Sequence, residues 1–318
     1  MKHALVGDSS VSVVLRPAVG ADTDTDCVGK LFHSPRRGPW QRPSSPQSPP
    51  WRWMTPADVD ELHETHRRFQ TEIDPTNRFT VEYMGTSVLS IDQVKEAVPK
   101  LAERFHGPSV IQHVQAYGGP TVWKVAHERA VPFEDLFRAL RPVFEGLVVL
   151  ADHGIVHGDV SPNNVLLGAD GSARLIDLEL CMPTSLAFGE RDMRTRGSGW
   201  SYPYWPPEYL SAAVDPDRDA TAEFEACFEL SSRLLEYGRR TGALPKPWSG
   251  ELRRGVEHAH KIDVYGLGMT LLTLMSKYDT PVGCAALALA KRMVEADASI
   301  RLCPRAALEA YDDALGTM

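Results

Sequence analysis

The sequence predicts an α+β fold, in which a β-rich first part with one main helix precedes a helical second part. Short runs rich in β-branched residues, bounded by turn residues, lie before residue 118. From residue 132 onward, apolar residues recur at helical spacing. The chain has 318 residues, of which 43% are hydrophobic, so it can bury a sizeable core.

The first strands come early, and a biased segment follows them. Residues 4–15 alternate around valines and predict a hairpin, and CVGKLF at 27–32 predicts another strand. Residues 34–53 are rich in Pro, Ser and Arg, which predicts a surface insertion without regular structure. The P-x-x-P spacing in this Pro-rich insertion could dock into an SH3-like groove, but a plain flexible insertion is the favoured interpretation.

One main helix and two more strands complete the first part. Thr55-Pro56 supplies an N-cap hydroxyl and a proline at the first helical position, so a helix should run to about Ile73. FTVEYM at 79–84 predicts a strand, and a short helix is expected near 91–105. VIQHVQAY at 110–117 predicts a further strand that ends at two glycines.

The second part is helical except for one hairpin. Residues 132–153 have helical apolar spacing, and 165–180 form two strands around an Asp-Gly turn. A polar helix with an apolar stripe is predicted at 220–238, and residues 262–318 read as helical. The apolar run 264–275 is too short to cross a bilayer and predicts a buried core helix.

Charge and cysteine usage narrow the class of protein. The net charge of −8 argues against a general nucleic-acid binder or a membrane-surface binder. Five widely spaced cysteines suit reduced thiols better than a disulfide framework. The first residues carry no signal-peptide pattern. These features predict a cytoplasmic protein, which we expect to be a monomer.

The stretch IVHGDVSPNNVLL at 155–167, followed by LIDLEL, carries the chemistry. Phosphoryl transfer needs a carboxylate that orients the attacking hydroxyl, and oxygen ligands for Mg2+. Asp159 would be that base, and Asn164 and Asp177 would be the metal ligands. The predicted hairpin should bring Asn164 and Asp177 to the same end of neighbouring strands.

With these residues the chain resembles the eukaryotic-type protein kinase superfamily over nearly its whole length. LVGDSSVSVV has the spacing of the glycine-rich loop of that family, with one glycine kept. CVGKLF resembles the strand with the phosphate-binding lysine, and HVQAYGG resembles the hinge near adenine. The resemblance thereby assigns ATP contacts to Gly7, Ser9, Ser12, Val14, Lys30, Ala116, Tyr117 and Asp177. It assigns structural roles to His157 in HGD, Glu208 in WPPE, Asp263 in KIDVYGLG and Arg301 in DASIR.

The resemblance implies a two-lobed kinase fold that binds ATP and Mg2+ between its lobes. The N-lobe would span 1–117, the hinge 116–120 and the C-lobe 121–318. The implied reaction is transfer of the γ-phosphoryl group to Ser or Thr of a protein substrate, with catalytic roles for Asp159, Asn164 and Lys30. The long insertions look most like kinases of large DNA viruses, which would place the protein in host cytoplasm or a virion.

Several positions depart from the family pattern. Gly158 replaces the arginine of the catalytic loop, Ser161 replaces a lysine, and Glu179 stands where the family has a glycine. Without that arginine, the catalytic loop cannot bind a phosphate on the activation segment, so we expect an enzyme that is constitutively competent or one that a partner switches. Another basic residue, such as Arg191, Arg194 or Arg196, could substitute for the arginine. The helix glutamate that pairs with Lys30 could be Glu61 or Glu64. 

Two alternatives to a protein kinase remain open at this point. A small-molecule phosphotransferase of the aminoglycoside-kinase or choline-kinase type fits HGD and the late glutamate, but such families lack the WPPE, DVYGLG and DASIR motifs. A pseudokinase that only binds nucleotide or a partner fits the degraded glycine-rich loop. The presence of all four residues that the chemistry needs argues against a pseudokinase; these residues are Lys30, Asp159, Asn164 and Asp177.

Overall fold

The computed structural model describes residues 4–8, 12–21, 26–32, 63–102, 105, 109–128, 130–188, 204–206, 208–209, 256–275, 280–295 and 297–316. The predicted insertion at 34–53 and the predicted helix at 220–238 lie outside these residues, as do Ser9 and Glu61. The chain divides into two compact units, Met1–Tyr117 and Gly118–Met318.

The first unit is built on a five-stranded antiparallel sheet with the order β1-β2-β3-β5-β4. The hairpin and the strand predicted for its first 32 residues are confirmed, as is the strand before the two glycines. The strands are β1 (Ala4–Asp8), β2 (Ser12–Arg16), β3 (Cys27–Phe32), β4 (Tyr83–Ser90) and β5 (Ser109–Ala116).

Alternation along β2 and β3 gives the sheet two different faces. Val13, Leu15 and Leu31 are fully buried in one apolar cluster with Val94 and Val110. Because successive side chains of a strand point to opposite faces, their neighbours in sequence occupy the other face. The sheet therefore has a closed apolar core on one side and presents the residues between these positions on the other.

The described residues of the first unit form three helical segments. Helix α1 covers residues 63–68 and continues as a π-helical turn, Phe69–Ile73, so it ends where the sequence predicts. Helices α2 (Ile91–Ala97) and α3 (Pro99–Ala102) occupy the predicted 91–105 region as two pieces. Pro99 explains the division, since its ring disfavours helical geometry at the preceding residue. Ser90 and Gln93 form a capping box that starts α2.

The strand predicted at 79–84 is wrong in its position. The observed strand β4 is Tyr83–Ser90. The carboxylate of Asp74 accepts hydrogen bonds from the backbone N–H groups of Arg78, Phe79 and Thr80, at 2.8–2.9 Å. Those donors are consumed in a turn and cannot pair with a neighbouring strand. The three hydrogen bonds to this one buried aspartate outweigh the strand propensity of FTVEYM.

The second unit is mostly helical and contains two small antiparallel pairs. Its strands are β6 (Ile155–Val156) paired with β9 (Met182–Pro183), and β7 (Val165–Leu167) paired with β8 (Ala173–Leu175). The predicted hairpin at the Asp-Gly turn is thereby confirmed. Its helices are α4 (Val122–His127), α5 (Phe133–Ala139), α6 (Arg141–Asp152), α7 (Lys261–Leu274), α8 (Pro281–Met293) and α9 (Pro304–Gly316).

Helix α7 is the centre of this unit, as the sequence predicts for its apolar run. All of its residues except Thr273 are buried. Gly268 lets α8 approach closely, because a Cβ there would lie 2.7 Å from the Met293 Cβ. Helix α9 docks through Tyr311, whose buried hydroxyl donates to the Phe137 carbonyl at 2.6 Å and whose ring stacks on Phe144.

The periodic stretch 132–153 is divided into α5 and α6. Pro142 stands in the first turn of α6, where a missing N–H costs nothing, but it could not continue a helix from α5. Within the described part of the chain, none of the helices is both long and apolar enough to cross a membrane.

Candidate active site

The loop 157–164 joins β6 to β7, and its backbone is hydrogen-bonded to a buried carboxylate. Asp263 of α7 is 3% exposed, and its two oxygens accept the backbone N–H groups of His157 at 2.7 Å and Gly158 at 2.9 Å. Burial raises the pKa of Asp263, although the two backbone donors act in the opposite direction. Asp263 thus binds the backbone of this loop, and the bracing role that the resemblance assigns to it stays a prediction.

The two central residues of the loop are in direct contact. Asn164 Nδ2 donates to Asp159 Oδ2 at 2.7 Å and to the Asp159 main-chain oxygen at 2.9 Å. Asn164 is buried, while Asp159 is partly exposed. The amide therefore holds the Asp159 carboxylate in one orientation and leaves Asn164 Oδ1 as the oxygen that can face a cation.

Asp177 lies beside this pair through the hairpin. Val165 of β7 is opposite Leu175 of β8, and the Ile176 N–H donates to the Asn164 carbonyl at 3.0 Å. The expectation that Asn164 and Asp177 share one end of neighbouring strands is thus met by the backbone. Asp177 has a φ of 70°, in the left-handed region that costs an L residue roughly 1–2 kcal/mol. Such strain concentrates at functional sites.

His157 joins the loop to the strand that leads to Asp177. Its Nε2–H donates to the Ile176 carbonyl at 3.2 Å, and its Nδ1 accepts the Asp159 N–H at 3.3 Å. These two bonds together require a neutral imidazole with the proton on Nε2. His157 is fully buried, so it acts as a fixed spacer between the two aspartates of the site.

The donor set suits Mg2+ better than a transition metal. Asp177 and Asn164 supply hard oxygen ligands, and Mg2+ is commonly bound by one or two carboxylates together with phosphate oxygens and water. Over the described ranges, no group of three or more His, Cys, Asp or Glu residues comes together in a way that could hold a metal ion. A Mg2+ ion bound by Asp177 and Asn164 would leave coordination positions for phosphate oxygens and water.

A buried ion pair in the same unit holds residues 208–209. Arg301 donates from Nη1 to Glu208 Oε1 at 2.5 Å and from Nη2 to Oε2 at 3.0 Å. The Arg301 and Glu208 side chains are 0% and 1% exposed. Arg301 also donates to the Glu295 carbonyl at 2.7 Å. The resemblance predicted this pair, and the geometry is the bidentate fork that favours Arg over Lys.

The predicted phosphate-binding residues of the first unit share one region of its sheet. Gly7 is in β1 and pairs with Val14 of β2, and Val14 in turn pairs with Lys30 of β3. Ser12 is the first residue of β2. Because cross-strand partners lie on the same face, the side chains of Val14 and Lys30 occupy the face opposite the apolar cluster. Lys30 Nζ lies 5.1 Å from the centre of the Phe32 ring.

The predicted hinge residues have their main-chain donors already engaged. The Ala116 N–H donates to the Glu82 carbonyl at 2.9 Å, and the Tyr117 N–H donates to the Asp26 carbonyl at 3.1 Å. Arg16 stacks its guanidinium 3.7 Å from the centre of the Tyr117 ring and binds Asp26. A purine base that contacts these two residues would therefore meet carbonyl oxygens or side chains rather than these N–H groups.

The choice left open between Glu61 and Glu64 is narrowed by the structure. Glu64 is exposed, and its carboxylate binds Arg67 one turn further along α1, with Arg67 Nε to Oε2 at 2.7 Å. The Arg67 hydrogen bond lowers the pKa of Glu64. Helix α1 does pack on the Lys30 face, since His66 lies 4.9 Å from His113, the cross-strand partner of Lys30. In this structure the Glu64 carboxylate binds Arg67, and the assignment of Glu61 or Glu64 as the helix glutamate stays a prediction.

Sequence reasoning missed two residues that touch the predicted site residues. Arg16 contacts the hinge tyrosine, as described above. Trp205 donates its indole N–H to the carbonyl of Gly158, immediately before Asp159. A tryptophan directly before the Pro-Pro-Glu of WPPE was visible in the sequence, but nothing local indicates which distant carbonyl its indole reaches.

Comparison with known proteins points to kinases. Residues 62–198 match the family model described as fungal protein kinase. This segment includes helix α1, strands β4 and β5, the loop 157–164 and Asp177.

Curated relatives agree with that match at low identity. The chain is 30% identical over 145 residues to the serine/threonine-protein kinase CHK1 of Mycosarcoma maydis, which covers 41% of this chain and 22% of that protein. It is 32% identical over 90 residues to a receptor protein kinase-like protein of Arabidopsis thaliana, covering 28% and 11%. It is 28% identical over 124 residues to sperm motility kinase 3A of Mus musculus, covering 39% and 21%. The chain thus matches less than a quarter of the length of each of these relatives. Together with the family match, these relatives support an assignment to the protein kinase superfamily.

Proposed function

We propose that this protein is an ATP-dependent kinase that transfers the γ-phosphoryl group of Mg-ATP to a Ser or Thr hydroxyl of a protein substrate. The observation that carries the proposal is the arrangement of Asp159, Asn164 and Asp177, in which one amide orients the base and the hairpin brings the metal ligands together. The kinase family match over the same residues supports it.

In this mechanism Asp159 accepts a hydrogen bond from the acceptor hydroxyl and takes its proton as the bond to phosphorus forms. The bond from Asn164 Nδ2 to Asp159 Oδ2, at 2.7 Å, holds this carboxylate in one orientation towards the acceptor. Asp177 and Asn164 Oδ1 would hold Mg2+, which supplies charge neutralisation at the phosphates when bound. Gly7, Ser9, Ser12, Val14 and Lys30 would contact the nucleotide.

The fold proposal follows the same resemblance. The unit Met1–Tyr117 would be the N-lobe, and the unit Gly118–Met318 would contain the last hinge residues and the C-lobe. Glu61 would pair with Lys30. The narrower resemblance to kinases of large DNA viruses stays a prediction, as does a cytoplasmic location.

A protein acceptor is favoured over a small molecule by the buried ion pair. The ion pair of Glu208 with Arg301 fixes residues 208–209. In the protein kinase family that the chain resembles, the corresponding residues follow the segment that binds protein substrates. A small-molecule phosphotransferase has no need of such a platform. The alternative of a nucleotide-binding pseudokinase is opposed by the intact contact between Asp159 and Asn164.

The test is a radiolabelled transfer assay with purified full chain, Mg-ATP and generic protein acceptors, with aminoglycosides and choline as small-molecule acceptors in parallel. Asp159→Asn should reduce turnover by a factor of about 100 or more, since general-base catalysis contributes at least that much. Binding of Mg-ATP should be unchanged, because Asp159 acts on the acceptor. Asp135→Asn, an exposed aspartate of α5, is the matched control and should retain wild-type rates.

Three outcomes would count against the proposal. Transfer only to a small molecule would replace the protein acceptor. Tight Mg-ATP binding with no transfer to any acceptor would favour a pseudokinase. Equal losses of nucleotide affinity and of rate in Asp159→Asn would assign Asp159 a different role.

A further inference from the structure

Residues 204–206 lie directly against the loop that carries Asp159. Trp205 is 7% exposed, and its Nε1–H donates to the Gly158 carbonyl at 2.8 Å. The indole ring meets the Tyr209 ring edge to face, with ring centres 5.1 Å apart. An indole carries a single donor and no acceptor, so this buried hydrogen bond determines how the ring is oriented.

Gly158 is consequently held on both of its peptide groups. Its N–H donates to Asp263 Oδ1 at 2.9 Å, and its carbonyl accepts from Trp205. Its φ of 77° is a conformation that glycine adopts without the strain of a Cβ. Since the Gly158 carbonyl belongs to the peptide group that begins Asp159, the Trp205 bond fixes the plane from which the Asp159 side chain projects.

Helix α7 packs against both the loop 157–164 and residues 204–206. At Gly266 a Cβ would lie 2.5 Å from the Val160 carbonyl oxygen and 3.2 Å from the Tyr204 carbonyl oxygen. The backbone on either side of the Trp205 bond therefore touches the same glycine. Three residues after Trp205, the buried pair of Glu208 and Arg301 anchors the chain again. The position of the indole is thus determined by packing on both sides of it.

We propose that Trp205 is a positioning residue, which couples the segment before Glu208 to the catalytic base through its hydrogen bond to the Gly158 carbonyl. This inference rests on the proposed kinase function. Gly158 has no side chain that could bind a phosphate on that segment, whereas the indole bond is made by unmodified residues. The segment and the catalytic loop are therefore joined directly, and the joined state needs no phosphorylation.

The main test is Trp205→Phe, which keeps an aromatic ring and removes the N–H. A loss of the bond frees the peptide plane at Asp159, and a displacement of about 1 Å of a catalytic group can cost about a hundredfold in rate. We expect kcat to fall tenfold or more, with the Kd of Mg-ATP within twofold of wild type. Trp123→Phe, which removes an indole N–H from α4 of the same unit, is the matched control and should keep kcat within twofold.

A second readout follows the contact without turnover. Hydrogen exchange of the amides at 157–160 should accelerate in Trp205→Phe and stay at the wild-type rate in Trp123→Phe. Unchanged exchange, or a kcat within twofold of wild type, would overturn the coupling. A loss of Mg-ATP affinity equal to the loss of kcat would also overturn it, because general damage to the unit predicts that result.

A third measurement uses wild-type protein alone and so does not depend on how a variant folds. Phosphatase treatment, confirmed by mass spectrometry, should leave kcat within twofold. A loss of tenfold or more that rephosphorylation reverses would overturn the phosphate-independent part. Failure of the proposed function is distinguishable, since wild type would then transfer phosphate to no protein acceptor, while the exchange experiment would still report on Trp205.

Discussion

Breaking the buried ion pair between Glu208 and Arg301 should strongly destabilise the second unit. The pair is 1% and 0% exposed and bidentate, so Glu208→Gln leaves a guanidinium buried without a counter-charge. The bonds to the Glu295 and Lys261 carbonyls cannot neutralise that charge, because a carbonyl oxygen carries no net charge. Removing one partner of such a pair costs about 3–5 kcal/mol.

The expected loss is large enough to measure by thermal melting. For a domain of about 150–250 residues, 1 kcal/mol corresponds to roughly 2–4 °C in Tm, so Glu208→Gln should lower Tm by roughly 6–20 °C. The matched control is Asp152→Asn, which breaks the pair of Asp152 with Arg305, whose side chains are 60% and 63% exposed. An exposed pair contributes about 0–1 kcal/mol, so that variant should melt close to wild type.

A double-mutant cycle separates the ion pair from general damage. Glu208→Leu combined with Arg301→Met removes both charges and should destabilise the protein by at least about 2 kcal/mol less than the sum of the single variants, because no uncompensated charge remains. Chemical denaturation of the full chain gives the three free energies. Additive effects, or a Glu208→Gln variant within about 1 kcal/mol of wild type, would refute the reasoning.

Three further predictions concern metal, pH and the insertion. Asp177→Ala should abolish the Mg2+-dependent tightening of ATP binding in calorimetry, whereas Lys30→Ala should weaken ATP without changing its dependence on Mg2+. The Arg174 hydrogen bond lowers the pKa of Asp170 to about 2, so the stabilisation from this exposed group should be present above pH 4 and diminish as pH falls towards 2; Asp170→Asn should therefore cost less stability at pH 3 than at pH 7 by denaturation. Deleting residues 36–50, which hold no predicted regular structure, should change Tm by only a few degrees, and a large drop would show that the insertion is packed.

Much of the fold could be predicted because local patterns and tertiary packing agree. The valine-rich hairpin, CVGKLF and the Asp-Gly hairpin have strand propensity and turn chemistry that the sheets retain. The buried helix α7 follows from an apolar run of suitable length. The backbone bond from Ile176, the residue before Asp177, to the Asn164 carbonyl agrees with the predicted hairpin, since two strands and a tight turn leave few registers.

The rest depended on side-chain contacts that residue patterns do not specify, even though the partners lie only three to six residues apart in the chain. Asp74 converts a good strand sequence at 79–82 into a turn by taking three backbone donors, which no propensity scale includes. Glu64 was a reasonable partner for Lys30 by its position in the helix, but Arg67 three residues later binds its carboxylate instead. Both outcomes turn on which side-chain oxygen lies within reach of which donor.

By itself the sequence determined the chemical inventory and the order of elements. The candidate base, the candidate metal ligands, the two partners of the buried ion pair and the glycine in place of the loop arginine could all be identified, because their residue types and spacing predict these roles. Only the tertiary structure decided how the base is held. Asp263, Asn164 and Trp205 come from three separate parts of the chain and meet at residues 157–159. Their hydrogen bonds depend on distances of about 3 Å and on fixed directions, and such geometry exists only after helix α7 and the loop have packed together.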